Sequence, residues 1–488
     1  MSFHQAVYSE DIIFNRGGPG RCGVRLPDWK VEEDLVPPKL QRKELGLPEL
    51  SEPEVVRHYT RLSQMNYGVD IGTYPLGSCT MKYNPKLCDW AASQPGSANT
   101  HPYQDPSTVQ GNLQIMYELQ SMLAEVGGVD EVTLQPAAGA HGEFTGLLLS
   151  RAYHKANGEE HRNEVILPDT AHGTNPASVT TTGYHIIETK SAEDGTVDLD
   201  ALSSALSDKT ACFMLTNPNT LGIYEHNVVE IAKMCHEAGS ILYYDGANLN
   251  AVMGRSKPGD MGYDIVHYNL HKTFATPHGG GGPGAGPIGV KKHIAPFLPK
   301  PVIARKGDEY VLDYDRPQSI GKIGGFYGNF AVLVRAWTFM KVMGGDGLKE
   351  ASEMAVLNSN YMKEKLVEHY PMPHKRLRKH EFVLSGSNMK EKGASTKDVA
   401  KMLLDAGLHA PTIYFPLLVD EALMIEPCEN ETKEELDAYI ARMIEITKAS
   451  EEELHNAPVN SKVGRVDEVK AARDMVLCWR ASGKCESK

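Results

Sequence analysis

The sequence predicts an α/β chain: a mostly parallel sheet with helices on both faces, followed by a smaller C-terminal α+β segment. Two observations carry this. Between residues 106 and 292, short apolar runs alternate with stretches of helical spacing, the pattern of strand–crossover–strand units. Beyond about residue 330 the chain turns helical and then repeats strand, helix, strand, helix on a smaller scale.

The elements follow in order. Residues 1–100 are rich in proline and charge (DWKVEEDLVPPKLQRKELGLPELSEPEVV) and read as an extended arm with one or two short helices that wraps another subunit or domain. STVQGNLQIMYELQSMLAEVGG then carries helical spacing and stops at Gly127-Gly128. The runs VILPD (165–169), HIIETK (185–190), ACFMLT (211–216), ILYYD (241–245), DIVHYN (264–269) and PIGVKK (287–292) read as strands. EFTGLLLSRAYHKA, DALSSALS and NVVEIAKMCHEAG read as the helices between them. These segments make a large domain over 101–330. FVLSGS, STKDVAKMLLDAG, ALMIEP and TKEELDAYIARMIEIT make a smaller one over 331–462, and 463–488 is a charged tail.

Bulk properties narrow the function classes. The 488 residues allow two to three domains, and 41% hydrophobic with 23% charged residues is ordinary for a globular protein. A net charge of −13 argues against a nucleic-acid partner. No apolar run is long enough to span a bilayer, and MSFHQAVYSEDIIFNRGG has no signal-peptide pattern. The eight cysteines are scattered without a CxxC pair, so neither a zinc ribbon nor a disulfide framework is expected, no metal site is read, and a reducing cytoplasm is the expected location.

The chemistry gathers at predicted strand ends, where ligands of open parallel sheets bind. ILYYDGAN puts Asp245 at the end of one strand, and DIVHYNLHK puts His271 and Lys272 at the end of the next, 27 residues on. QPAAGAHGE sets Ala137, Ala138, Gly139 and Ala140 at a strand-to-helix turn, where small residues expose N–H groups to a phosphate. His172 and Asn217 follow two further strands, and six glycines crowd 279–286 after the lysine. Pyridoxal phosphate needs such parts: a lysine to bind it covalently, an acid for its ring nitrogen, a phosphate cradle and a flat stacking group. Taken singly, each has a plain alternative. Asp245 and Lys272 could be a structural ion pair, His172 a loop histidine, Asn217 a turn former, Cys79 an inert buried thiol and the glycine run a flexible lid. Their order along the chain resembles the fold-type-I pyridoxal phosphate enzymes, transferase-like folds with a seven-stranded, mostly parallel sheet.

The longer motifs are more specific. PLGSCTMKYNP (75–85), QPAAGAHGE (135–143), DTAHGTNPAS (169–178), DGANLNA (245–251), NLHKTFATPHGGGGPGAG and HAPTIYFPL (409–417) closely resemble the P-protein of the glycine cleavage system, in its lysine-bearing second-subunit form. The resemblance implies decarboxylation of glycine with transfer of its aminomethyl group to the oxidised lipoyl arm of the H-protein. It implies pyridoxal 5′-phosphate covalently bound to Lys272, Asp245 paired with the pyridinium nitrogen, and Ala247 and His172 on opposite ring faces. Ala138, Gly139 and Ala140 would donate to the phosphate, Asn217 to the ring O3′, and His271 would orient the lysine or touch the phosphate. Ser78, Cys79 and Thr80 would lie at the substrate and lipoyl channel. Implied partners are a first P-protein subunit, in a heterodimer that pairs again, and the lipoylated H-protein, with functional links to the T- and L-proteins. Two rivals stand against this: a cysteine desulfurase or larger amino-acid decarboxylase of the same fold, and a non-catalytic scaffold. The cysteines after Lys272 (428, 478, 485) sit in no glycine-rich loop, and a scaffold would more easily tolerate loss of Lys272 or Asp245, both of which are present.

Overall fold

The computed structural model describes residues 4–27, 36–42, 45–278, 284–475 and 477. The glycine run at 279–283 and the terminal cysteines 478 and 485 fall outside them.

Among the described residues, seven strands form the central sheet: β1 (Glu131–Thr133), β2 (Glu164–Pro168), β3 (His185–Thr189), β4 (Thr210–Leu215), β5 (Ile241–Gly246), β6 (Ile265–Tyr268) and β7 (Ile288–Val290). Their spatial order is β1-β7-β6-β5-β4-β2-β3. β3, β2, β4, β5 and β6 pair in parallel, while β7 runs antiparallel to β6 and to β1. The predicted strands all form, each within a few residues of its apolar run.

Side-chain alternation explains why this sheet is covered twice. Phe213, Leu215, Leu242, Tyr244 and Val266 point into one core, and Cys212, Met214, Ile241, Tyr243 and Ile265 into the other. The Gly139–Ala156 helix packs closely because Gly146 faces Tyr243; a Cβ there would lie 2.3 Å from the ring. β1 is an unpredicted strand, too short at three residues to show a period. The hairpin of β8 (Val302–Lys306) and β9 (Glu309–Asp313) was also unpredicted; it turns at Gly307-Asp308, with Gly307 at φ 63°.

A long helix, Phe330–Leu366, joins the two sheets. It kinks at Gly344, whose φ of 61° and ψ of −176° leave the helical region. Val332, Leu333 and Phe339 before the kink pack on the large sheet, while Met362 and Leu366 after it pack in a separate core. That core rests on β10 (Phe382–Ser385), β11 (Thr412–Ile413) and β12 (Ala422–Ile425), all antiparallel, with the Thr396–Asp405 and Lys433–Ile446 helices. The N-terminal segment reaches this small sheet: Leu76 bridges to Ile425, and Gly77 donates to the Met424 carbonyl. Before it, residues 4–27 contain only a single 3-10 turn, Ile13–Asn15, and expose Val24 and Leu26. No helix of the described residues is long and apolar enough to cross a membrane.

Candidate active site

The carboxyl ends of β4, β5 and β6 open onto a cavity of about 280 Å3 that holds most of the residues singled out by the sequence. Parallel register makes the meeting inevitable. Asp245 on β5 lies opposite His267 on β6, and Lys272 stands on the short Leu270–Thr273 helix directly after β6.

Asp245 is 3% exposed and fully furnished. Oδ2 accepts from the Asn175 amide at 2.9 Å, and Oδ1 accepts from the Ala247 N–H at 3.1 Å and lies 3.3 Å from His267 Nδ1. Burial works to raise its pKa, but His267 and these two donors outweigh burial and hold the carboxyl well below the usual carboxylate range. It is a fixed buried anion. His267 is itself held by Asn269, whose side-chain oxygen is 2.9 Å from Nε2.

Gly139 and Ala140 line the cavity at the start of their helix. Ala138 is the N-cap, its carbonyl accepts from Gly142, and no side chain caps the end, so the first-turn N–H groups are presented to the cavity. Gly286 must be glycine for this turn to close: a Cβ there would lie 2.2 Å from the Ala138 carbonyl oxygen.

His172 and Ala247 both line the cavity. His172 Nδ1 lies 3.0 Å from the Thr174 hydroxyl, which donates to buried Glu143 at 2.7 Å. Burial, then the Lys272 charge, lowers the His172 pKa, so it faces the cavity as a neutral ring. Glu143 is raised by burial and by the Asp245 charge beside it. His271 accepts from the Ala285 N–H and packs edge-on against His278 at 4.8 Å. Burial and neighbouring positive charge push His271 down to about 3 and His278 down to about 4.

Lys272 Nζ donates to the Ser78 carbonyl at 2.7 Å, and Ser78 and Cys79 line the cavity, while Thr80 is buried behind them and does not. Ser78 and Thr80 adopt left-handed backbone, φ 62° and 44°, a strain that surrounding structure must hold. Two acidic side chains from the small sheet do so. Glu381 accepts the Ser78 N–H at 2.7 Å, and Glu426 accepts the Thr80 N–H and hydroxyl at 3.1 and 2.6 Å. Burial pushes the Cys79 thiol up, so it is not held as a thiolate. Cys428 is buried and likewise pushed up.

Asn217 stands apart from the other expected residues. It does not line the cavity; its side-chain oxygen accepts the Glu225 N–H at 2.9 Å and its amide reaches the Glu225 carbonyl at 3.3 Å. The turn claims it, and Thr216 and Pro218 reach the cavity on either side of it. Sequence reasoning missed Asn175, Glu143, His380, Glu381 and Glu426. Only Asn175 and Glu143 lay inside a motif that could have drawn attention to them, DTAHGTNPAS and QPAAGAHGE.

The residues fit pyridoxal phosphate: an amine, a fixed anion and an uncapped helix terminus converge on one cavity with a flat neutral ring between them. The solved structure of glycine decarboxylase (P-protein) of the glycine cleavage system, in inhibitor-bound form, superposes with a TM-score of 0.71 at 20% identity, covering 84% of this chain and 93% of that one. The fold is that of the fold-type-I pyridoxal phosphate enzymes. In sequence, residues 30–310 match the glycine cleavage system P-protein family, and 351–465 match the glycine dehydrogenase C-terminal domain. The chain is 58% identical over 490 residues to the probable glycine dehydrogenase (decarboxylating) subunit 2 of Pyrococcus furiosus, spanning 98% of this chain and 97% of that one. It is 57% identical over 476 residues to the protein of the same description from Alkaliphilus oremlandii, spanning 96% and 98%. The chain belongs to the glycine cleavage system P-protein family and is an enzyme of the glycine dehydrogenase (decarboxylating) type.

Proposed function

We propose that this chain is the cofactor-bearing half of a two-subunit glycine decarboxylase. Pyridoxal phosphate is bound covalently by Lys272, and the aminomethyl group left after CO2 departs passes to the oxidised lipoyl arm of an H-protein. The observation that carries the reading is the convergence of Lys272, Asp245 and the uncapped Gly139 helix end on one cavity.

Bound there, pyridoxal phosphate supplies an electron sink for the pair released when the bond between glycine Cα and its carboxylate breaks. The chain's residues make that sink effective. Asp245, kept anionic by Asn175, Ala247 and His267, holds a proton on the ring nitrogen. The N–H groups at Ala138, Gly139 and Ala140 would take the phosphate, and His172 and Ala247 would flank the ring. His172 is steadied through Thr174 by Glu143. Lys272 would hold the cofactor, and the Ser78 carbonyl, which accepts from its Nζ at 2.7 Å, would steady that nitrogen when it is free. Neutral His271 adds no competing charge beside it. Ser78 and Cys79 would form the wall past which the lipoyl arm enters, with Thr80 bracing the loop from behind through Glu426.

A companion first subunit is supported by the relatives' description as subunit 2, and by Val24, Leu26 and Leu47 of the N-terminal segment, which are 73%, 77% and 67% exposed. The test is release of labelled CO2 from carboxyl-labelled glycine by this chain with its companion subunit and a lipoylated H-protein. Release that requires all three supports the reading; release from serine or alanine at equal rate, or none from glycine, contradicts it.

A further inference from the structure

His380 and Glu381 enter the cavity wall from just before β10, beside Ser78. His380 is 1% exposed, and neither ring nitrogen has a hydrogen-bond partner. Its nearest carboxylate oxygen, Glu381 Oε1, lies 3.7 Å from Nε2, beyond hydrogen-bond range. Two unmade hydrogen bonds on one buried ring are costly to the empty protein, and a ligand that completes them recovers the cost.

The character of the ligand follows from what else faces the cavity. Asp245 occupies the ring-nitrogen end with a fixed negative charge, and the Gly139 helix end takes the phosphate. A glycine molecule reacting at Lys272 brings a carboxylate that neither end accommodates. Among the described lining residues no arginine is present to pair with it. Burial and the Lys272 charge, working against the pull of Glu426, keep His380 neutral, and burial with the Glu426 charge pushes the Glu381 carboxyl well up. Both groups offer hydrogen-bond donors without a full positive charge.

We propose that His380, assisted by Glu381, receives the α-carboxylate of the amino-acid substrate. The inference rests on the glycine-decarboxylating reading above. A neutral donor orients a carboxylate but stabilises its charge less than a bidentate arginine does. In a water-poor pocket, that arrangement favours the neutral CO2 that forms over the anion that binds.

The experiment uses the full chain with its companion subunit, loaded with pyridoxal phosphate. Its visible absorption is titrated with glycine and, separately, with methylamine, which has the amine but no carboxylate. His380→Ala raises the apparent Kd for glycine about 10- to 100-fold, the value of a hydrogen bond to a charged group, and leaves that for methylamine within about 2-fold. His380→Gln, which keeps an N–H, recovers part of the loss. Equal weakening toward both amines makes His380 merely structural and overturns the proposal, as does unchanged glycine affinity. An unsubstituted protein whose spectrum ignores glycine overturns the underlying reading, and this proposal falls with it.

Discussion

On the sheet side of the cavity, Asp245 is answered by Asn175, Ala247 and His267, whereas across from it His380 has neither ring nitrogen paired. The first wall carries a charge that two hydrogen-bond donors and the nearby His267 ring hold before any ligand arrives, which is how a permanent cofactor is held and tuned. The second wall is incomplete in the free chain, which suits a transient ligand. The two also differ in origin. The sheet wall comes from adjacent strand ends. The other is assembled over long range, with Glu381 and Glu426 of the C-terminal segment clasping a strained loop at Ser78–Thr80.

Breaking the complete wall has the largest expected effect. Asp245→Asn keeps the shape and removes the anion, and turnover of glycine falls about 10²- to 10³-fold, the scale of losing one preorganised electrostatic partner. Its cofactor absorption also shifts. A loss below about 3-fold would show that Asp245 is structural.

Loosening the clasp comes next. Gly77 packs so that a Cβ would lie 2.6 Å from the Met424 carbonyl oxygen and 2.3 Å from its Cγ. Gly77→Ala therefore pushes the loop off β12 at a cost of about 1–3 kcal/mol. Chemical denaturation measures the cost, and glycine affinity falls with it if the loop and His380 form one wall.

The smallest effect is on the pH dependence of stability. His271 and His278 stay neutral in the fold, at about 3 and about 4, while the unfolded chain takes up protons near the ordinary 6.5. Unfolding then binds protons, so stability declines as pH falls from about 6.5 toward 4. Glu381 acts with the opposite sign: raised in the fold by burial and Glu426, it loses stability as pH rises above the ordinary 4.5. Melting temperatures across this range should flatten on the acid side in His278→Gln and on the neutral side in Glu381→Gln.

The same contrast marks what the sequence could tell. Lys272 and Asp245 were legible because each follows an apolar strand, and adjacent parallel strands bring such ends together; the Gly139 turn was legible from its run of small residues before a helix. The strand order itself, with β7 inserted antiparallel between β1 and β6, has no local signal. Strand-end position does not reveal which way an amide turns, and the nearby Glu225 backbone holds that of Asn217. His380 and Glu381 were invisible because only the pairing of β10 with β12 and the contact of Gly77 with Met424 carry them to Lys272.

The most direct test of the account is to incubate the full chain with pyridoxal phosphate and its companion subunit, reduce with borohydride and map the peptides by mass. The account predicts a single pyridoxyl group on Lys272, absent in Lys272→Ala. A label on another lysine, or equal labelling of the Lys272→Ala chain, would contradict it.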